Sequence, residues 1–336
     1  MIEPVKHGHE AIGSGGRPQE QVDMRVFVTG VAGQLGHDCL IELEKRGHRS
    51  IGSDIAPVPS YLPPRTEPLG LETPDPSYVQ LDITDQQAVQ RTIEPLKPDA
   101  IIHCAAWTAV DAAEDLDNES KVKAINADGT RFIAEAAKAV DAKMVYLSTD
   151  YVFDGQGERP WQPDDKNYAP LNYYGETKLM GELAVSSILD KFFIVRIAWV
   201  FGLNGKNFIK TMINVGKTHD TVRVVDDQIG TPTYTYDLAR LLVDMIETDK
   251  YGYYHATNSE AEPGGYISWA DLAEESYRAA GMNTVVNRVS TAEYGASVAA
   301  RPANSRLDKS KLVENGFTPL PDWKDAVARY IKEADL

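Results

Sequence analysis

From Met24 onward, short apolar runs alternate with segments of helical spacing. The runs "RVFVTG", "RSIGSD", "YVQLD", "DAIIHCA", "KMVYLSTD" and "FFIVRIAW" have the length and β-rich composition of buried strands. Helices are predicted for "GQLGHDCLIELEKRG" and for residues 85–94, about 117–140 and 172–189. Alternating strands and helices indicate an α/β fold, a doubly wound parallel sheet covered by helices on both faces.

The pattern changes at three places and suggests a domain division. Residues 1–23 show no apolar period and are predicted to be a flexible N-terminal tail. Residues 56–77 are rich in proline, which excludes a regular helix or central strand, so they are predicted to be an inserted loop in a main domain over 24–200. After residue 200 the strands become sparser. This predicts a smaller α/β substrate domain over 201–336, with parts of about 222–257 returning to the sheet. A crevice between the two parts is the natural ligand site.

Composition and charge narrow the class of partner. The formal net charge of -16 argues against nonspecific binding to nucleic acid or to an anionic membrane. No apolar run is long enough to span a membrane, and the N-terminus lacks the apolar core of a secretory signal. Cys39 and Cys104 lie in apolar segments, so we interpret them as reduced core residues of a cytoplasmic protein. The expected partner is therefore a small molecule.

A glycine-rich turn follows the first strand. In "TGVAGQLG", Gly30 allows a tight turn, Gly33 permits close approach of a pyrophosphate, and Gly36 permits close packing of helix on strand. The helix that follows offers free amides at Gln34 and Leu35 to an anion. Strand, turn, helix and second strand occur in the order typical of a Rossmann-type dinucleotide site. A purely structural turn is the alternative.

Further cofactor contacts are predicted at neighbouring strand ends. Asp54 ends the second strand, where a carboxylate accepts hydrogen bonds from the adenosine ribose and repels a 2′-phosphate. The cofactor is therefore NADH or NADPH, with NADH favoured. Asp82, with Ile83, is a candidate for the adenine edge, and a helix N-cap is the alternative for Asp82. Ala105 and Ala106 follow a strand end, where small side chains either admit the cofactor or pack in the core.

The segment "LNYYGETKLMGE" holds two adjacent tyrosines. On a helix, Tyr174 lies one turn from Lys178, whereas Tyr173 points to another face. An ammonium group nearby is expected to lower the pKa of Tyr174, which tunes the phenol for proton transfer. Ser148 and Thr149 end the strand "KMVYLSTD", where a hydroxyl can hold a substrate carbonyl.

This combination resembles the extended short-chain dehydrogenase/reductase superfamily. The strings "HCAAWTAVDAAED", "STDYVFDGQGERPW", "RIAWVFG", "VVDDQIGTPT" and "ARPANSRLDKSKL" are similar, in order and spacing, to the dTDP-4-dehydrorhamnose reductase family. The resemblance implies NADH- or NADPH-dependent reduction of the C4 ketone of dTDP-4-dehydro-β-L-rhamnose to dTDP-L-rhamnose. It implies a catalytic set of Thr149, Tyr174 and Lys178, with Tyr174 and Lys178 also contacting the cofactor. The proline-rich insertion and Trp107, where the family more often has tyrosine or histidine, depart from its pattern.

A larger set of residues is predicted to contact the substrate. Packing in the core is the alternative for the aromatic members, and an exposed surface position is the alternative for Arg301, which we expect to clamp the diphosphate. Asn126 either organises a proton path or bonds helix backbone. The predicted substrate contacts are Trp107, Thr108, Tyr151, Phe153, Trp199, Gln228 and Arg301.

Two other functions remain open at this stage. One is a different nucleotide-sugar epimerase or dehydratase of the same superfamily. The other is a noncatalytic dinucleotide-binding regulatory subunit, similar to the β subunit of methionine adenosyltransferase. We assign no metal site; the family is often described with Mg²⁺, and its need here stays open. The chain is expected to be a monomer or a homodimer.

Overall fold

The computed structural model describes residues 23–57, 77–260, 262, 264–295 and 297–336. The predicted tail and most of the predicted insertion lie outside these ranges. The strands are β1 (Arg25–Thr29), β2 (Arg49–Asp54), β3 (Tyr78–Gln80), β4 (Ala100–His103), β5 (Lys143–Thr149), β6 (Phe192–Ile197), β7 (Val200–Phe201), β8 (Thr221–Val225), β9 (Ile229–Gly230), β10 (Thr233–Tyr234), β11 (Gly252–His255), β12 (Ile267–Ser268) and β13 (Val285–Val289). The α-helices are α1 (Gln34–Lys45), α2 (Gln86–Leu96), α3 (Val110–Ala113), α4 (Leu116–Lys123), α5 (Thr130–Ala139), α6 (Tyr173–Ile188), α7 (Phe208–Gly216), α8 (Thr235–Ile246), α9 (Trp269–Ala279), α10 (Thr291–Tyr294), α11 (Ser310–Glu314) and α12 (Trp323–Glu333).

Seven parallel strands form the central sheet, in the order β11-β6-β5-β4-β1-β2-β3. The chain runs outward from β1 through β2 to β3, then returns to the other side of β1 and continues from β4. The strand order therefore reverses between β1 and β4, and a crevice opens at their carboxyl ends. The predicted doubly wound α/β fold is confirmed.

The sheet is covered on both faces because its strands are apolar on both sides. One core cluster joins the sheet to α1 and α8, with Leu43 and Leu242 fully buried between them. The other joins the sheet to α2, α5 and α6 through side chains such as Val89, Ile133 and Val185. These two layers hold the strand ends of the crevice in fixed positions.

The helix predicted over 117–140 is broken in the middle. A π-helical turn, Ala124–Gly129, connects α4 to α5 and places Asn126 in the interior. Such turns occur mostly as single irregularities inside α-helices, and they are frequent at functional sites.

The part of the chain after residue 200 has a separate apolar cluster. It is built on α7, α9 and α12, with Ile213, Ala273 and Val327 among its buried members. Strand β11, however, is an edge strand of the central sheet, beside β6. The predicted domain division at residue 200 stays a prediction. Among the helices of the described residues, none has the length and apolar character needed to cross a bilayer.

Candidate active site

The glycine turn brings β1, β4 and α1 into close contact. Gly30 has φ +71°, and a Cβ on it would lie 2.6 Å from the backbone nitrogen of Ala105. A Cβ on Gly36 would collide with the carbonyl oxygen of Gly30. Helix α1 starts directly after Gly33 without a side-chain cap, so its first amides lack intrahelical acceptors. The amides of Val31, Ala32 and Gly33 donate within the protein, so the first amides of α1 are the ones that can meet an anion.

Asp54 lies beside this turn. Its Oδ2 accepts a hydrogen bond from the backbone nitrogen of Ala32 at 2.9 Å, and its Oδ1 accepts one from Ala56 at 3.2 Å. The carboxylate is thus fixed between the glycine turn and the segment after β2. This is the position expected of a group that meets the adenosine ribose.

The alternative role proposed for Asp82 is wrong. The side chain that caps α2 is Asp85, which accepts from the backbone nitrogen of Ala88. Asp82 instead accepts from the backbone nitrogen and the hydroxyl of Thr84, at 2.9 and 2.7 Å. Ile83 is buried beside it. Contact of Asp82 and Ile83 with adenine stays a prediction.

Hydrogen bonds tie the ends of β1 and β4 together. The Thr29 hydroxyl lies 2.8 Å from Nδ1 of His103 and accepts from the backbone nitrogen of Ala105 at 3.1 Å. Burial, and then the charge of Lys178, lower the pKa of His103 to about 3, so its ring is neutral. Ala105 and Ala106 are half-buried at this junction, beside the glycine turn.

Asn126 fixes the segment that follows β4. Its Oδ1 accepts from the backbone nitrogen of Trp107 at 2.8 Å, and its Nδ2 donates to the carbonyl of Trp107 and the hydroxyl of Thr177. It therefore joins this segment to α6 and bonds backbone outside its own helix. Trp107 and the exposed Thr108 are held next to the catalytic helix.

Helix α6 places the predicted catalytic pair one turn apart. Asn172 caps the helix by accepting from the backbone nitrogen of Gly175 at 2.8 Å. Tyr174 lies in edge contact with the ring of Tyr151, at 5.6 Å between centroids. Lys178 is buried with its Nζ 4.3 Å from the ring centre of Tyr146.

The predicted lowering of the Tyr174 pKa is wrong, and Lys178 is not among the groups that shift this pKa. Burial, followed by the charge of Asp150, raises the pKa of Tyr174, and a hydrogen bond with Thr149 only partly opposes this rise. Burial also lowers the pKa of Lys178 to about 7, although Glu182 opposes that shift. The sequence pattern does not reveal the depth of burial, which outweighs the attraction between an ammonium and a phenolate.

Two residues at the end of β5 and beyond were not predicted as site residues. Asp150 accepts from the Thr149 hydroxyl at 3.0 Å and from the Ser305 hydroxyl at 2.5 Å. Burial raises the pKa of Asp150 to about 6, although both hydrogen bonds lower it. The Ser148 hydroxyl is buried without a hydrogen-bond partner among the described residues. The sequence string "STD" could have identified Asp150, whereas no sequence pattern pointed to Ser305.

Arg301 is half-buried between Asp111 and Tyr151. Its Nη2 is 2.7 Å from Oδ2 of Asp111, and its Nη1 donates to the Tyr151 hydroxyl at 3.4 Å. Burial, and then Asp150, raise the pKa of Tyr151 to about 12, whereas Arg301 opposes this rise. Asp111 also accepts from the backbone nitrogen of Ala299, and sequence reasoning missed this role.

The other predicted substrate residues lie in packed surroundings. Phe153 is fully buried and stacks on Trp161 at 4.4 Å, which favours packing over contact with substrate. Trp199 has φ +51° and stacks on Trp269 at 4.0 Å. Gln228 is buried and donates to a hydroxyl at the start of α10. Their contacts with substrate stay predictions.

The described residues contain no group of three or more histidine, cysteine, aspartate or glutamate side chains arranged to hold a metal ion.

Known proteins are similar to this chain in sequence and in fold. Residues 24–336 match the family described as the RmlD substrate binding domain. The dTDP-4-dehydrorhamnose reductase of Streptomyces griseus is 39% identical over 309 residues, which cover 90% of this chain and 91% of that protein. The dTDP-4-keto-6-deoxy-D-glucose reductase of Streptomyces niveus is 34% identical, over 91% and 96% of the two chains. The crystal structure of dTDP-4-dehydrorhamnose reductase from Bacillus anthracis in complex with NADP is 38% identical, with a TM-score of 0.80 over 93% of this chain and 100% of that one.

Proposed function

Because the chain belongs to the RmlD substrate binding domain family, we propose that it is the reductase that completes dTDP-L-rhamnose synthesis. It reduces the C4 ketone of dTDP-4-dehydro-β-L-rhamnose to the alcohol, using a nicotinamide dinucleotide. The main support is that Thr149, at the carboxyl end of β5, and Tyr174 both contact Tyr151, in a protein whose relatives are named for this reaction.

The residues of the chain have distinct parts in this reaction. The bound nicotinamide supplies the hydride. Tyr174 donates a proton to the ketone oxygen as negative charge develops there, and Thr149 stabilises that charge by a hydrogen bond. Lys178 is proposed to hydrogen-bond the nicotinamide ribose and, as a cation, to favour the phenolate that forms. Proton transfer of this kind contributes roughly 10²–10⁴-fold to the rate.

The dinucleotide fits the crevice at the glycine turn. The start of α1 has no side-chain cap, so its first amides can meet a pyrophosphate, and the tight packing at Gly30 and Gly36 holds the turn in place. We propose that residues 24–200 bind the dinucleotide, with Asp54 at the adenosine ribose, and that residues 201–336 mainly bind the substrate. The carboxylate favours NADH, whereas the Bacillus anthracis relative was crystallised with NADP.

On the substrate side, we propose that Arg301 binds the diphosphate. Its guanidinium lies beside Tyr151, which in turn contacts Tyr174, so a phosphate bound there would place the sugar near the catalytic hydroxyls. Trp107, Thr108 and Trp199 are proposed to border the sugar. The protein is proposed to work in the cytoplasm as a monomer or homodimer, and any Mg²⁺ requirement is left to direct measurement.

A neighbouring substrate is the second candidate. The Streptomyces niveus relative is named for the reduction of dTDP-4-keto-6-deoxy-D-glucose, so the same site can serve a different 4-keto sugar in this family. Comparing turnover of the two 4-keto sugars separates these functions. An epimerase would interconvert sugars without net oxidation of the cofactor, and a regulatory subunit would bind dinucleotide without turnover.

The experiment that tests the proposal follows oxidation of NADH and NADPH in wild type, Tyr174→Phe and Tyr173→Phe. The substrate is generated in place from dTDP-glucose by the dehydratase and epimerase. Tyr174→Phe is expected to lose roughly 10²–10⁴-fold in kcat. Tyr173 is the matched control, because its side chain contacts neither Thr149 nor Tyr151 in any recorded hydrogen bond or ring contact. Folded wild-type protein that binds dinucleotide but oxidises neither cofactor would disprove the reductase.

A further inference from the structure

Asp150 is a buried carboxylate that the mechanism above does not use. It follows Thr149 directly at the end of β5, and its side chain is almost completely buried. Each of its oxygens accepts a hydrogen bond from a hydroxyl, Oδ1 from Thr149 and Oδ2 from Ser305. The carboxylate thus joins the catalytic hydroxyl to a residue of the C-terminal part of the chain.

The Thr149 hydroxyl lies near several hydrogen-bonding groups but has only one proton to donate. A hydroxyl donates one hydrogen bond and accepts up to two. Thr149 donates to Asp150 at 3.0 Å and accepts from the backbone nitrogen of Tyr151 at 3.2 Å. Tyr174 lies nearby, because Tyr151 contacts both Thr149 and the ring of Tyr174. With its proton directed at Asp150, Thr149 can meet Tyr174 only as an acceptor.

We propose that Asp150 is a positioning residue whose protonation state sets the direction in which the Thr149 hydroxyl donates. This inference rests on the proposed reductase function, because it concerns the hydroxyl that stabilises the reacting ketone oxygen. An ionised Asp150 keeps the Thr149 proton through a charge-assisted hydrogen bond. A protonated Asp150 donates to Thr149 instead, which frees the single Thr149 proton for the ketone oxygen.

The negative charge on Asp150 also opposes ketone reduction through its effect on Tyr174. A negative charge beside the phenol disfavours the phenolate that forms when Tyr174 gives up its proton, and it raises the pKa of Tyr174. Protonation of Asp150 removes this opposition while it turns the Thr149 hydroxyl. The protonated state of Asp150 is therefore the one suited to ketone reduction. The ionised state opposes reduction by holding the Thr149 proton and by disfavouring the Tyr174 phenolate.

Few titratable groups face Asp150 in the described part of the chain. Tyr174 faces it from α6 and Tyr151 from the turn after β5, with the guanidinium of Arg301 beyond Tyr151. Ser305 approaches from the C-terminal segment and carries no charge. Because burial raises the pKa of Asp150 to about 6, both protonation states are accessible near neutral pH.

The test compares wild type with Asp150→Asn and Ser305→Ala. Single-turnover reduction of the dTDP-4-keto sugar by saturating reduced dinucleotide is followed from about pH 5.5 to about pH 9. In wild type the rate is expected to fall on the order of tenfold as Asp150 ionises, since loss of one oriented donor has at least this effect. The amide of Asp150→Asn donates to Thr149 at every pH, so this variant is expected to keep a high rate without that fall.

The Ser305→Ala variant tests the inference independently. The Ser305 hydrogen bond lowers the pKa of Asp150, so its removal is expected to move the fall in rate to higher pH. A pH profile that is unchanged in both variants overturns the inference, as does an inactive Asp150→Asn protein with a wild-type melting temperature. If Asp150→Asn is unfolded, Ser305→Ala decides alone, and an unshifted fall rejects the role of Asp150. Wild type without any reduction rejects the proposed function itself, which is a separate outcome.

Discussion

The guanidinium of Arg301 lies 2.7 Å from the carboxylate of Asp111, although 190 positions separate the two residues in the sequence. This ion pair joins α3 to the C-terminal segment beside Tyr151. Both side chains retain solvent contact, and such pairs contribute only about 0–1 kcal/mol, so a diphosphate can readily displace the carboxylate.

Replacement of Arg301 by alanine is expected to weaken substrate binding selectively. Loss of a charged donor corresponds to roughly tenfold or more in KM for the dTDP-sugar, with a smaller change in kcat. Arg306→Ala is the matched control, because Arg306 lies in the same segment and bonds Asn304. Steady-state kinetics with each substrate varied separate the two effects. A rise in KM for the dinucleotide alone would contradict the proposed clamp.

Gly30→Ala is expected to abolish dinucleotide binding. The added Cβ meets the Ala105 backbone, and the left-handed conformation adds roughly 1–2 kcal/mol. Gly47→Ala measures the cost of the left-handed backbone conformation alone, because Gly47 has φ +78° and nothing within 4 Å of its Cβ position. Binding is measured by quenching of protein fluorescence on addition of dinucleotide, and unfolding by urea. Equal behaviour of the two variants would show that close approach of the strands is unimportant.

Lys178→Met is expected to stabilise the dinucleotide-free protein most at low pH. The pKa of Lys178 is about 7 in the folded chain and near its ordinary 10.5 when unfolded. Between these values the unfolded chain binds the extra proton, so wild-type stability rises with pH across this window, and the cost of burying the cation is full below it. Urea unfolding near each end of the window should show a gain on the order of a few kcal/mol that shrinks toward high pH.

The exposed Lys121 provides the control for this pH dependence. Lys121→Met should change the free energy of unfolding by less than about 0.5 kcal/mol at either pH. A gain from Lys178→Met that is the same at both ends of the window would mean that Lys178 remains charged when buried.

Asp54→Asn is expected to shift the cofactor preference toward NADPH. The carboxylate repels a 2′-phosphate, whereas the amide oxygen can still accept from the Ala32 backbone. The ratio of kcat/KM for NADH to that for NADPH should fall by roughly tenfold, about 1.4 kcal/mol. Asp82→Asn, on the other side of the predicted adenine site, should leave this ratio unchanged. A wild type that prefers NADPH already would reject the argument from Asp54.

Local spacing predicted the parts of this site that lie close in sequence. The glycine turn and the Tyr174–Lys178 pair depend on periods of a few residues, which the chain displays directly. The parallel sheet covered by helices followed from the alternation of strands with helices, whereas the order of the strands did not. Local order also explains why Tyr174 could be separated from Tyr173 before any contact was known.

Relationships across the fold were not predictable in the same way. The bonds of Asp111 to Arg301 and of Asp150 to Ser305 connect segments that only folding brings together. The direction of the Tyr174 pKa shift was wrong because it depends on burial, which no spacing reveals. The N-cap of α2 was assigned to Asp82 as an alternative, but Asp85 is the cap. Spacing alone does not decide between two aspartates near a helix start.

The position of β11 has a consequence for synthesis on the ribosome. Strand β6 is complete at residue 197, but its outer partner is formed by residues 252–255. A nascent chain that has emerged only as far as β6 already contains the glycine turn and the three residues proposed to be catalytic, yet it carries an apolar strand with unpaired backbone groups. Such open edges promote association with other chains. Translation that stalls between β6 and β11 would therefore produce fragments with a full catalytic sequence and a strong tendency to aggregate.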